Sequence, residues 1–166
     1  MRKVRPVLIA ALTVLILLVA WAALAHAAYA FDAVVTTCHD GDTCTLADGT
    51  RLRLHAIDAP ELGQPYGSEA RARINLLVAG HHVDVRPTGD RSYRRMVADL
   101  VLSDGRDVAA VMVTSGYAWV EPRWNGDPSQ PARQLGAQLA RRGLWAADYP
   151  VPPWAWRHKH SRPPER

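Results

Sequence analysis
Arg51-Leu52-Arg53-Leu54-His55-Ala56-Ile57-Asp58-Ala59-Pro60-Glu61 is the stretch whose reading decides the fold. Leu52, Leu54 and Ala56 alternate with Arg51, Arg53 and His55, the period of a strand with one buried face. Arg53 therefore projects from the face opposite the core. Pro60 has no N–H to give a ladder, so pairing stops there and Asp58 stands at a strand end, with Glu61 three residues on.

Working outward, residues 31–38 are mostly β-branched or apolar and read as a strand. Asp40-Gly41-Asp42 supplies turn chemistry, since Gly accepts positive φ and Asp bonds nearby amides. Residues 43–46 resume a strand, and Asp48-Gly49 closes a hairpin. After the loop at Gly63, Pro65 and Gly67, Ser68 is a suitable N-cap for a helix to about Val78 that ends at Gly80. Its apolar face is Ala70, Ile74, Leu77 and Val78. Residues 81–86 alternate as a strand that Pro87-Thr88-Gly89-Asp90 ends. A basic loop, Arg91-Ser92-Tyr93-Arg94-Arg95, leads into a strand over 96–102. Asp107 starts a short helix, and residues 117–120 form a last short strand. A helix over 132–142 follows, with Leu135 and Leu139 inward and Gly143 as its stop. From Pro150 the chain is Pro-rich and basic, which predicts an extended tail. About five strands with an inserted helix and a C-terminal helix make a mainly β, α+β domain, a small barrel rather than a sandwich or parallel sheet.

The whole chain has 166 residues and a formal charge of +4. Arg2, Lys3 and Arg5 lie in an N-terminal segment without acidic residues, and removing them from +4 leaves +1. Attraction to polyanions must therefore come from local clusters rather than the total charge. A basic start, an uncharged run over 6–25 and Ala28-Tyr29-Ala30 form an export-signal pattern cut after Ala30. The same run is also long enough for a retained membrane anchor. On either reading residues 1–30 precede a folded domain at 31–148 and a tail at 149–166. The domain then lies outside the cytoplasm, secreted or in the periplasm or cell envelope. In that oxidising setting the only cysteines, Cys38 and Cys44, are expected to form a disulfide across the turn.

Asp40, Asp42 and Asp58 with Arg53 suit a hard cation beside a phosphate. Calcium accepts flexible oxygen ligands, here two carboxylates and a backbone carbonyl. Arginine grips phosphate with two parallel bonds, which lysine does not. Glu61 is placed to orient or deprotonate a water, and a second arginine from Arg94-Arg95 to offset developing charge. Taken singly, an Asp-Gly-Asp is usually a turn and an alternating arginine a solvated strand face. Their conjunction is what points to a site.

In order, Asp40-Gly41-Asp42-Thr43, Leu52-Arg53-Leu54 with Ile57-Asp58-Ala59-Pro60-Glu61, Tyr66-Gly67-Ser68-Glu69-Ala70, Asp90-Arg91 with Arg95-Met96-Val97-Ala98, and Ser115-Gly116-Tyr117-Ala118-Trp119 resemble the staphylococcal nuclease (thermonuclease-like) family, over roughly residues 34–145. The resemblance implies a five-stranded OB-fold barrel hydrolysing phosphodiester bonds of DNA and RNA with Ca2+, leaving 3′-phosphates. By motif, Asp42, Asp58 and the Ala59 carbonyl match the metal ligands, with Asp40 in the outer shell. Arg53, Glu61 and Arg95 match the catalytic set. The chain departs from the pattern at Tyr93-Arg94-Arg95, which lets Arg94 exchange roles with Arg95, and at Ala59, where the family carries Thr. The flanking tyrosines of the nucleotide pocket are replaced by Pro122 and Trp124, so Tyr93, Arg94 and Trp124 are the expected substrate contacts. The expected partner is nucleic acid, with single strands or loosened duplex favoured. No protein partner is implied, the chain is expected to be a monomer, and a membrane enters only if the N-terminal segment is retained. The competing readings are a catalytically inactive nucleic-acid-binding OB-fold domain and a calcium-binding envelope module. The basic end at Arg157-His158-Lys159-His160 reads as solvated.

Overall fold
A computed structural model describes residues 10–19, 30–121 and 127–160. Residues 10–19 are helical (α1) and exposed. Among the described residues no helix is long and apolar enough to cross a membrane.

The centre is a closed five-stranded barrel. Its strands are β1 (Phe31–Cys38), β2 (Thr43–Leu46), β3 (Arg51–Leu54), β5 (His82–Ser92) and β6 (Arg95–Leu102), in the order β1-β2-β3-β6-β5. β1–β2–β3 is an antiparallel meander. β3 then pairs in parallel with β6, setting Arg53 opposite Val97, and β5 closes the barrel through Phe31↔Val85 and its neighbours. This is the small barrel expected from the strand pattern, and the OB-fold that the resemblance implies. Leu52, Leu54, Val85 and Leu100 fill its interior, each virtually without exposure. Full burial of such a side chain stabilises by roughly 1.5–3 kcal/mol. Helix α2 (Gly67–Val78) seals the barrel with Ala70, Ile74 and Val78. α3 (Val108–Thr114) is capped by Asp107, whose side chain accepts from Ala110 N at 2.6 Å.

Several local expectations change. The strand over 51–57 breaks at His55-Ala56, where Ala56 takes φ 62°. The chain resumes as β4 (Ile57–Asp58), which pairs with β7 (Trp119–Val120) outside the barrel. Asp58 is thereby turned from the sheet edge towards the loops. β5 runs past Pro87 to Ser92, with its pairing to β6 shifted between Pro87 and Arg91. Pairing with β1 ends at Val85, so Pro87 lies where β5 has β6 on one side alone and a missing N–H is tolerated. Much of the expected basic loop is thus strand, reversing at Tyr93-Arg94.

The cap of α2 is Tyr66 at φ 68°, not Ser68, whose hydroxyl instead donates to Glu69. α4 (Gln130–Leu139) buries Gln130 and Ala137, whereas Leu135 and Leu139 are 54% and 79% exposed. Ala137 packs with Leu144 and Trp145, and Trp145 meets Trp119 edge to face at 4.3 Å. Indole rings occupy the space that the leucines were expected to fill, so the helix presents its small residue instead. Finally, residues 153–160 are not extended but form helix α5 (Pro153–His160). Proline suits a first helical turn, where its missing N–H costs nothing.

Candidate active site
The turn after β1 is built by Asp40, whose Oδ1 accepts from the amides of Asp42 and Thr43 at 3.0 and 2.6 Å. Cys38 and Cys44, opposite each other in the β1–β2 register, are joined by a disulfide. Gly41 is needed for space rather than for positive φ. A Cβ there would sit 2.5 Å from the Ala59 Cβ and 2.8 Å from that of Ala70. The close approach lets Ala59 donate its amide to Asp42 Oδ2 at 2.9 Å.

Arg53 leaves the outer face of β3, as its place in the alternation requires, and binds two buried carboxylates together. Its Nη1 donates to Asp42 Oδ1 at 2.6 Å, and its Nη2 to Asp58 Oδ1 at 2.9 Å and to the Ile57 carbonyl at 3.2 Å. Burial acts to lower the Arg53 pKa, but Asp42 and Asp58 outweigh it and raise it, so the guanidinium stays charged. Arg95, at the start of β6, donates to Thr43 Oγ1 at 2.8 Å and to Ser92 Oγ at 3.0 Å. Asp40, Asp42, Arg53, Ala59, Glu61, Tyr93 and Arg95 all line one cleft of about 930 Å³. Five carboxylates and three guanidiniums face it, an excess of negative charge.

Arg94 does not join this group. It lines a neighbouring cavity with Arg51 and Arg91, so Arg95 is the arginine presented to the cleft. Tyr93 sits at the rim, 94% exposed. Asp58 lies behind Arg53, and Ala59 adds its N–H to the network. Trp124 and Pro122 fall outside the described residues.

Sequence reasoning missed Glu121, Trp154 and Arg157, which also line the cleft. Arg157 Nη2 donates to Asp58 Oδ2 at 2.6 Å, and its Nη1 to Glu61 Oε1 at 2.7 Å and Asp58 Oδ1 at 3.1 Å. These bonds, those to Asp58 foremost, raise its pKa. The tail read as solvated therefore reaches the site. The signals present were Pro153 at a helix start and the tryptophans at 154 and 156, but neither says where the helix docks.

A Cβ at Gly67 would lie 1.9 Å from the Glu61 carbonyl oxygen, whereas one at Gly63 would meet nothing within 4 Å. Gly67→Ala is expected to cost roughly 1–3 kcal/mol in urea unfolding, by forcing the backbone apart beneath Glu61, and Gly63→Ala little. Equal stability of the two variants would refute this. Burial pushes Asp42 from 3.8 up to about 7, against the opposing pull of Arg53. The neutral acid is favoured in the folded chain, so its contribution to stability is full below about 4 and is lost as pH rises through about 7. With chelator present, the melting temperature should fall from about pH 5.5 to about pH 8 more in the wild type than in Asp42→Asn. Parallel profiles would contradict it.

A closed OB barrel carrying buried carboxylates bridged by one arginine, with a second arginine on the same cleft, defines a phosphodiester hydrolase of the small-barrel type. Residues 51–147 match the family model described as staphylococcal nuclease homologue. The chain belongs to this family, and is an enzyme of the nuclease class. It is 42% identical over 123 residues to an Escherichia coli O157:H7 protein named an uncharacterized endonuclease, covering 72% of this chain and 80% of that one. A Haemophilus influenzae protein of the same name is 33% identical, covering 74% and 70%. A rice protein named probable staphylococcal-like nuclease CAN1 is 38% identical, covering 68% of this chain but 34% of its own length.

Proposed function
We propose that the protein is an exported, calcium-dependent nuclease that hydrolyses phosphodiester bonds of DNA and RNA. The observation that carries the reading is the single guanidinium of Arg53 held between Asp42 and Asp58, with Glu61 and Arg95 on the same cleft. Among the described residues no group of three acidic, His or Cys side chains already converges as a metal cluster, because guanidiniums stand between the acids. The donor set nevertheless fits a hard cation. Asp42 offers a carboxylate to the cleft, Asp58 would add another in exchange for Arg157, and the cleft's surplus of negative charge calls for positive charge before a phosphate can enter. A calcium ion held there by Asp42 and Asp58, with Asp40 behind, would supply charge neutralisation to the phosphate oxygens.

The chain's own residues do the rest. Arg53 offers a fork to two oxygens of the phosphate, and Arg95, on the same cleft, adds a second guanidinium. Glu61 takes the proton of the attacking water at its carboxylate oxygen, where its exposed side chain meets solvent. The negative charge that builds on the phosphorane falls between the two guanidiniums, which are positioned before the reaction starts. Export rests on the signal-like pattern of residues 1–30.

The test is incubation of the purified protein with plasmid and single-stranded DNA, with calcium or with chelator. Cleavage that stops on chelation is expected. Binding without cleavage would overturn the reading in favour of an inactive binding domain.

A further inference from the structure
α5 brings to the cleft a third arginine from a part of the chain that carries no site motif. Arg157 lies 99 residues beyond Asp58, yet it fills both oxygens of that buried carboxylate and one of Glu61. Asp58 Oδ1 is shared with Arg53. While Arg157 remains in place, its guanidinium therefore competes with any cation for the Asp58 oxygens. The helix itself is anchored independently of that side chain. Pro153 is buried, the Val151 carbonyl accepts from Gln64 Nε2 at 2.6 Å, and Trp154 meets Trp119 edge to face at 5.7 Å. With its backbone tethered and its side chain 41% exposed, Arg157 is free to swing within the cleft that Arg53 and Arg95 line.

We propose that Arg157 is a third substrate-gripping arginine, held on Asp58 and Glu61 until a divalent cation replaces it there, and then transferred to a backbone phosphate of the nucleic acid. The proposal rests on the nuclease reading above. Its physical basis is exchange of like charge. The acids need a cation at all times because Asp58 is buried, and a guanidinium displaced from a carboxylate finds an equivalent two-pronged acceptor in phosphate. The lengthy, flexible arginine stem permits the move without unfolding α5.

Two titrations of the full chain test it. Calcium followed by calorimetry, without nucleic acid, should bind Arg157→Gln roughly tenfold more tightly than the wild type, because a competitor for Asp58 has been removed. In saturating calcium, a fluorescent oligothymidylate with a phosphorothioate backbone should bind Arg157→Gln roughly tenfold or more weakly by anisotropy, since a charge-assisted pair of bonds is lost. Arg157→Lys, which keeps the charge without the fork, should recover part of the oligonucleotide affinity and provides the comparison if the Gln variant melts early. Calcium affinity unchanged or weakened in both variants would overturn the proposal. So would tighter calcium binding with unaltered oligonucleotide affinity. Failure of the nuclease reading looks different: the wild type would leave unmodified DNA intact in every divalent cation, while both titrations would still report on Arg157.

Discussion

Glu61→Gln is expected to lower DNA cleavage by about 10²–10⁴-fold with the fold intact. The substitution keeps the shape and the hydrogen-bonding oxygen but removes the basic one, so a proton can no longer be taken from water. Glu61 tolerates the change structurally because its side chain is 39% exposed. Its backbone is held separately, with its N–H donating to Gln64 Oε1 at 3.2 Å and its carbonyl accepting from Gln64 N at 2.8 Å. Single-turnover cleavage, with circular dichroism as the control for folding, is the measurement. A variant that cleaves at the wild-type rate would move the base elsewhere in the cleft, which Glu121 also lines.

Arg53→Ala is expected to damage both stability and activity. It strips Asp42 of its guanidinium and leaves Asp58 dependent on Arg157, with both carboxylates still buried. Breaking a buried pair on one side costs roughly 3–5 kcal/mol, so the melting temperature should fall by on the order of 10 °C or more. The double variant Arg53→Ala with Asp42→Asn separates the two losses. Replacing the buried acid left without its partner should restore part of the stability, as for contacting residues in a double-mutant cycle, while cleavage stays low because the phosphate fork is gone. If the single variant melts with the wild type, Arg53 is not the bridge that holds these acids together.

Much of this site was legible because its parts lie on short, regular elements. Alternation in Arg51–Leu54 set Leu52 and Leu54 inward and Arg53 outward, and the structure keeps that arrangement. Asp42, Arg53, Asp58 and Glu61 are near neighbours in sequence, so a hairpin and a strand end suffice to gather them. Arg95 needed more. It joins them because β6 pairs in parallel with β3, a long-range contact that the motif order suggested through the family resemblance and that local periodicity does not encode. The choice between Arg94 and Arg95 was open in sequence, and the structure puts Arg94 in the turn and Arg95 at the start of β6. The hairpin register sends one to each cavity.

Other features were illegible for identifiable reasons. The helical period of residues 130–139 is real, but period alone does not say which side meets the barrel. Trp119 and Trp145 claimed that space and left Leu135 and Leu139 outside. Ala56 carries no turn signature, yet it takes a left-handed conformation that frees Ile57 and Asp58 to pair with β7. Gly41 was assigned a conformational role, whereas the tertiary contact with Ala59 and Ala70 is what excludes a side chain.

From residue order alone came the barrel, the acidic turn between two cysteines, and the strand that ends in Asp58 and Glu61, because turn chemistry and twofold alternation act over a few neighbouring residues. Packing alone decided that a basic, proline-rich tail folds as α5 and lays Arg157 on Asp58 and Glu61. No local propensity records a partner 99 residues away, and it takes the folded barrel to bury Asp58 deeply enough that a distant guanidinium is drawn to it.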